Sequence, residues 1–225
     1  MFMRAILLIV LISCTIFTNC RKVNTYQESN NNDLDSSEFI GKDGFSKSEA
    51  EWIGARVRWQ LPRDVTPART HLFLRVHLPE GDWLTDVGLG AASLTCAIPL
   101  EFDREFPTPH ETRRLVREEG KHFHQLWTGT EWTDCCEFTL DEMHPIDCEI
   151  ANWWTSASPK SHFKGHVTVG RAGPDGTRKA IRQGEFIHRR GAEILHREPI
   201  ASPEQLLKIL REHFDLSFPE GTRFL

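Results

Sequence analysis

His71 and Asp86 are the two residues of this sequence whose types and setting best suggest acid–base chemistry. His71 opens the segment THLFLRVHL, and Asp86 sits late in WLTDVGLG. A histidine that gives one ring N–H to a carboxylate has a fixed tautomer and a raised basicity. Its other nitrogen can then activate a nucleophile. The six cysteines are Cys14, Cys20, Cys96, Cys135, Cys136 and Cys148. They form no CxxC pair and no small disulfide framework. Cys136, His144 and Cys148 fit no common zinc spacing, so no metal site is expected and the thiols read as buried or surface groups in a reducing compartment.

Whether His71 and Asp86 meet depends on the elements that carry them. ARVRWQ alternates apolar and polar positions, with Val57 and Trp59 on one side and Arg56, Arg58 and Gln60 on the other, which is a strand pattern. LPRDVTPA, with two prolines, is a loop. THLFLRVHL and WLTDVGLG read as two further strands around a PEGD turn, the second ending in glycines that allow close backbone approach. Three strands in meander order suggest an antiparallel sheet or small barrel. Any register whose paired residue numbers sum to an odd value puts both side chains on one face. A hairpin centred near Leu78-Pro79 sets them opposite each other. One centred on Glu80-Gly81 offsets them by four residues, about 13 Å, and needs a bulge or bend to join them. On spacing alone, an edge histidine and an aspartate capping a glycine turn is the weightier description.

The rest of the chain sets bounds. A length of 225 residues allows one or two domains, and 39% apolar with 26% charged residues is ordinary for a globular protein. The net charge of −5 and the scattered basic residues argue against a nucleic-acid partner. The opening MFMRAILLIVLISCTIFTNC has a charged start and an interrupted apolar core, as in a secretory signal, with Phe17-Thr18-Asn19-Cys20 as a poor lipoprotein cleavage box. RKVNTYQESNNNDLDSSE reads as a disordered tether. A lipid-anchored or exported protein and a leader that is not a natural domain start weigh equally. His77, His110, His122, His124 and His144 read as solvated histidines. Trp153-Trp154 serves equally as an aromatic substrate wall or as core packing. From Phe163 to Leu195 short strands alternate with turns. Ser202-Pro203-Glu204 then opens a last helix as N-cap, first-position proline and first-turn acid.

RTHLFLRV followed by WLTDVGLG resembles the threonine–histidine strand and DVGFG strand of arylamine N-acetyltransferases. ARVRWQLP upstream, Ile98-Pro99-Leu100, RRLVREEG, the segment FTLDEMHPIDCEIANWWTSASPKSHF and the closing LLKILREHFDL resemble the same family in the same order. Within that segment Asn152, Trp153, Pro159, Ser161 and Phe163 match an N-W-x-T-S-x-x-P-x-S-x-F pattern, with Asp147 just upstream. The resemblance covers about four-fifths of the chain, from Gly44 to Leu225.

The resemblance implies a ping-pong transfer: acetyl-CoA acetylates a cysteine, CoA leaves, and an arylamine or hydrazine takes the acetyl group. It makes His71 the base, Asp86 its orienting acid and Thr70 a cofactor contact. The family's nucleophile lies in an R-G-G-x-C-x-E-x-N motif within an N-terminal helical domain, and the 225 residues contain no such motif. Cys20-Arg21-Lys22-Val23-Asn24 imitates only its C-x-x-x-N part, which makes Cys20 a weak nucleophile candidate; lipid acceptor or no role outweighs it. The expected fold is α+β: an antiparallel β-barrel followed by an α/β lid, a cysteine-protease-like acetyltransferase fold lacking its N-terminal helical domain. The expected divisions are 1–20 leader, 21–49 linker, 50–155 barrel and 156–225 lid. The expected function is an acetyl-CoA-dependent arylamine N-acetyltransferase with impaired activity, cytoplasmic unless the leader is used. An exposed barrel face would favour self-association. The rivals are a non-catalytic, membrane-tethered small-molecule-binding lipoprotein and an inert fragment of a degraded gene.

Overall fold

The computed structural model describes residues 50–86 and 88–224. The leader, the tether and Cys20 lie outside the described residues. Eight strands form one antiparallel sheet: β1 (Ala50–Val57), β2 (Arg69–Leu78), β3 (Gly81–Thr85), β4 (Ile98–Pro99), β5 (Arg104–Phe106), β6 (Arg113–Glu118), β7 (Lys121–Trp127) and β8 (Trp132–Glu142). Their order across the sheet is β4-β3-β2-β1-β8-β7-β6-β5. The two edge strands, β4 and β5, are therefore neighbours in sequence. Their short connection is tied to both sides: the Leu100 amide donates to the Asp82 carbonyl on β3, at 2.8 Å, and the Asp103 amide to the Leu115 carbonyl on β6, at 2.7 Å. The sheet thus curls into a nearly closed barrel, which leaves little free edge. Ile53, Phe73, Leu84, Ile98, Leu115, Leu126 and Phe138 fill its interior.

The β2–β3 hairpin pairs Leu78 with Gly81, Val76 with Trp83 and Leu74 with Thr85. Its centre is Pro79-Glu80, between the two centres weighed above. The odd sum is kept, so His71 and Asp86 share a face, offset by two positions along the strands. The β1 alternation needs a correction at Arg58. It lies beyond the end of β1 and is buried, because its guanidinium donates to the carbonyls of Pro62 (3.0 Å) and Val65 (2.7 Å) and pairs with Glu137. The proline-rich loop is thereby strapped to the barrel just ahead of β2.

After β8, α1 (Pro145–Ala157) begins with proline in its first turn, and the Asp147 carboxylate accepts from the His144 amide at 3.0 Å. The helix stops where the sequence motif places serines. The Ser158 amide reaches the Trp154 carbonyl, and the Ser161 hydroxyl donates to the Thr155 carbonyl. Ile146, Ile150 and Trp153, at helical spacing, are 60%, 61% and 59% exposed, so α1 carries an apolar stripe directed at solvent.

A second antiparallel meander follows: β9 (Val169–Ala172), β10 (Thr177–Arg182), β11 (Glu185–Arg190) and β12 (Glu193–Pro199). Helix α2 (Pro203–Phe214) packs on it through Ile209, Leu210 and Phe214 against Val169, Ile181 and Phe186. Ser202 caps α2 by accepting from the Gln205 amide at 3.1 Å, as its sequence indicates. Antiparallel barrel, capping meander and few helices make an α+β fold. Among the described residues no helix is long and apolar enough to cross a membrane.

Candidate active site

The barrel brings His71 and Asp86 together. His71 Nε2 lies 3.2 Å from Asp86 Oδ1, and the two residues are 7% and 2% exposed. The contact does not meet hydrogen-bond geometry, so Nε2 stands beside the carboxylate without a formed hydrogen bond. Such contacts are often loose until substrate closes the site. Asp86 Oδ1 also accepts from the Gly88 amide at 2.8 Å, which fixes the carboxylate just past the end of β3.

The histidine stands on an aromatic floor. Phe73, two residues on along β2, meets the His71 ring edge-on at 5.0 Å, Phe138 at 5.4 Å and His124 at 5.8 Å. Edge-to-face contacts of this kind set ring orientation as well as adding burial. Thr70, just before His71, is the extra residue of a β-bulge, since Ala55 pairs with His71 and Arg56 with Arg69. Bulges near functional sites re-aim side chains. Here Thr70 lines a cavity of about 270 Å³ between β2 and α1, walled also by Arg69, Met143, Asp147, Ile150 and Trp154.

Two of the histidines expected at the surface are buried. His124 is fully enclosed because the middle of β7 is covered on both faces. Its Nε2 lies 3.4 Å from Arg113 Nη1 and its Nδ1 has no partner. Burial, and then the Arg113 charge, push its imidazole well below the usual value. His110 is held by Thr95 and by the Gly173 carbonyl, both at 2.9 Å. Three of the cysteines, Cys135, Cys136 and Cys148, are set against nucleophilic use. Burial pushes the Cys135 thiol up to about 12 and Cys136 well above its ordinary value; burial and Asp147 push Cys148 up. These three stay protonated thiols, and a protonated thiol is a poor nucleophile. Among the described residues no three His, Cys, Asp or Glu side chains gather as a metal site would require.

A further polar cluster escaped the sequence reading. Glu111 is buried beneath three arginines. Arg178 binds it through Nε and Nη2 at 2.7 and 2.8 Å, Arg113 at 2.9 Å and Arg189 at 2.9 Å. Burial alone would raise this carboxyl, but the charges of Arg178, Arg113 and Arg189 outweigh it and hold the group at about 2. The one available clue was Arg113, which lies in phase with the core residue Leu115 on β6.

These groups give a pH dependence of definite sign. The folded-state pKa of His124 is depressed below the unfolded 6.5, so the unfolded chain takes up the proton first and stability falls as pH drops below about 6.5. Glu111, depressed from 4.5 to about 2, adds a second loss between those values. Melting temperature should be flat near neutrality and decline in these two acid stages. An unchanged melting temperature down to pH 4 would contradict the burial of His124.

Residues 43–222 match the family model described as N-acetyltransferase. The chain is 31% identical over 175 residues to arylamine N-acetyltransferase of Escherichia coli K12, covering 75% of this chain and 62% of that protein. It is 35% identical over 147 residues to the Mycolicibacterium smegmatis enzyme, covering 64% and 54%. The solved structure of Mycobacterium marinum arylamine N-acetyltransferase in complex with CoA superposes with a TM-score of 0.70 at 25% identity, covering 74% of this chain and 62% of that one. The chain belongs to the arylamine N-acetyltransferase family. It spans 62% or less of the length of these relatives.

Proposed function

We propose that this chain is the acetyl-CoA-binding barrel and lid of an arylamine N-acetyltransferase, with His71 as general base, Asp86 as its orienting acid and Thr70 at the cofactor. In the complete reaction a cysteine thiolate attacks the acetyl thioester and CoA leaves as its thiolate. An arylamine or hydrazine nitrogen then takes the acetyl group, restoring the cysteine. The His71–Asp86 pair, 3.2 Å apart and enclosed, is the observation that carries the reading. Transfer by the 225 residues alone is impaired in this account, because Cys135, Cys136 and Cys148 are held as neutral thiols. That same observation favours a second reading, a relative that binds the ligands without turnover. The place of action is cytoplasmic, as an alternative to a lipid anchor at Cys20.

Cofactor binding is the part the chain can perform unaided. Acetyl-CoA is expected to bind the purified chain by calorimetry, and Thr70→Trp, which fills the cavity beside β2, should weaken it by about tenfold or more. No binding to the folded wild-type chain, or equal binding to the variant, would overturn the assignment of Thr70.

A further inference from the structure

The segment that carries Asp86 has one short bond of its own, from the Gly88 amide to Asp86 Oδ1 at 2.8 Å. It leaves β3 at Thr85 and runs Asp86-Val87-Gly88-Leu89-Gly90, and Gly90 has φ +60°. Gly88 and Gly90 have no Cβ to restrict the backbone at those two positions. The segment next makes a short 3-10 turn, Gly90–Ala92, whose closing bonds are long, at 3.2 and 3.3 Å. What fixes the turn lies outside it. Arg113 Nη1 donates to the Ala92 carbonyl at 3.0 Å, and Arg113 Nη2 and Arg178 Nη2 donate to the Ser93 carbonyl at 3.2 and 2.9 Å. Arg189 Nη2 donates to the Ala91 carbonyl at 3.3 Å. Three consecutive carbonyls are thus gripped by three guanidiniums, one from the barrel and two from the second sheet. On the other side Gly170 of β9 presses against the turn, so closely that a Cβ there would stand 2.7 Å from the Ala91 nitrogen.

Among the described residues Glu111 is the anion that pairs with all three guanidiniums. Each bonds directly to its carboxylate, and without it three like charges would face one another in a mostly enclosed space. We propose that Glu111 is a positioning residue for the His71–Asp86 pair. Through Arg113, Arg178 and Arg189 it anchors the Ala91–Ser93 turn, and the anchored turn sets the glycine-rich segment so that Asp86 meets both the Gly88 amide and His71. The seating of the second sheet and the alignment of the proposed base are then one event, because two of the guanidiniums come from that sheet. This assignment rests on the reading of His71 and Asp86 as the base pair, but its test does not use activity.

The test is residue-resolved amide hydrogen exchange on the full chain, wild type against Glu111→Gln. The Gly88 amide, bonded to Asp86 Oδ1, is the reporter. The expected result is exchange at Gly88 at least about tenfold faster, equivalent to about 1.4 kcal/mol, while the Phe73 and Leu74 amides of β2 keep their protection. Arg189→Gln, which removes one partly exposed guanidinium and leaves the other two on Glu111, should show a smaller change of the same pattern and serves if Glu111→Gln does not fold. Unchanged protection at Gly88 with faster exchange confined to β9–β12 would overturn the proposal and leave Glu111 as a docking contact alone. A proportional rise at every amide would also overturn it, because that reports global stability. Neither outcome bears on whether the chain transfers acetyl groups.

Discussion

Replacing Glu111 by alanine is expected to lower stability by about 3–5 kcal/mol, the usual cost of removing one partner from a buried ion cluster. The side chain is enclosed and accepts four charge-assisted bonds, two from Arg178 and one each from Arg113 and Arg189. Alanine leaves those guanidiniums facing one another without a counter-charge. The remaining donors still reach the carbonyls of Ala91, Ala92 and Ser93, but these are dipoles and cannot neutralise the cluster. Urea unfolding followed by tryptophan fluorescence would read the change. A loss under about 1 kcal/mol, the range of an exposed pair, would show that water reaches the cluster.

Phe73→Ala is expected to cost a similar amount, about 3–5 kcal/mol. Phe73 is completely enclosed at the centre of the barrel and holds the rings of His71, His124 and Phe138 at once. Its loss leaves a cavity beside the His71 ring, and the strands β1 and β3 that flank β2 limit how far the site can collapse. Phe73→Leu should recover more than half of the loss by filling most of that volume. Equal melting temperatures for Phe73→Ala and wild type would contradict the described core.

Much of the site-bearing hairpin was legible because its constraints are local. The strand patterns and a PEGD turn indicated the strands, and the observed register has the odd sum that puts His71 and Asp86 on one face. The register within that parity was decided by the two-residue Pro79-Glu80 turn, whose length the sequence does not state. The bulge at Thr70 was likewise hidden, since an extra residue becomes visible only once β1 supplies the ladder. Ser202-Pro203-Glu204 was readable as a helix start because capping depends on neighbouring residues. The end of α1 was not read as a helix stop, although its serines perform that task.

The larger errors concern residues whose surroundings come from distant parts of the chain. His124 reads as solvated beside Lys121 and His122, yet it faces the interior because β6 and β8 flank β7 and the barrel closes over it. Arg58 looked like the polar side of a strand but turns into the loop behind it. Glu111, Arg178 and Arg189 are far apart in sequence, and only the docking of the second sheet joins them. A buried arginine in phase with leucines is the sort of inconsistency that marks such clusters.

The most direct test of the central claim is the mass of the intact chain after incubation with acetyl-CoA, followed by peptide mapping. A folded chain with the His71–Asp86 pair but no activated thiol should show no acetyl group on any of its six cysteines. One acetyl group on a single cysteine, lost again when an arylamine is added, would contradict the account and identify the nucleophile that His71 serves.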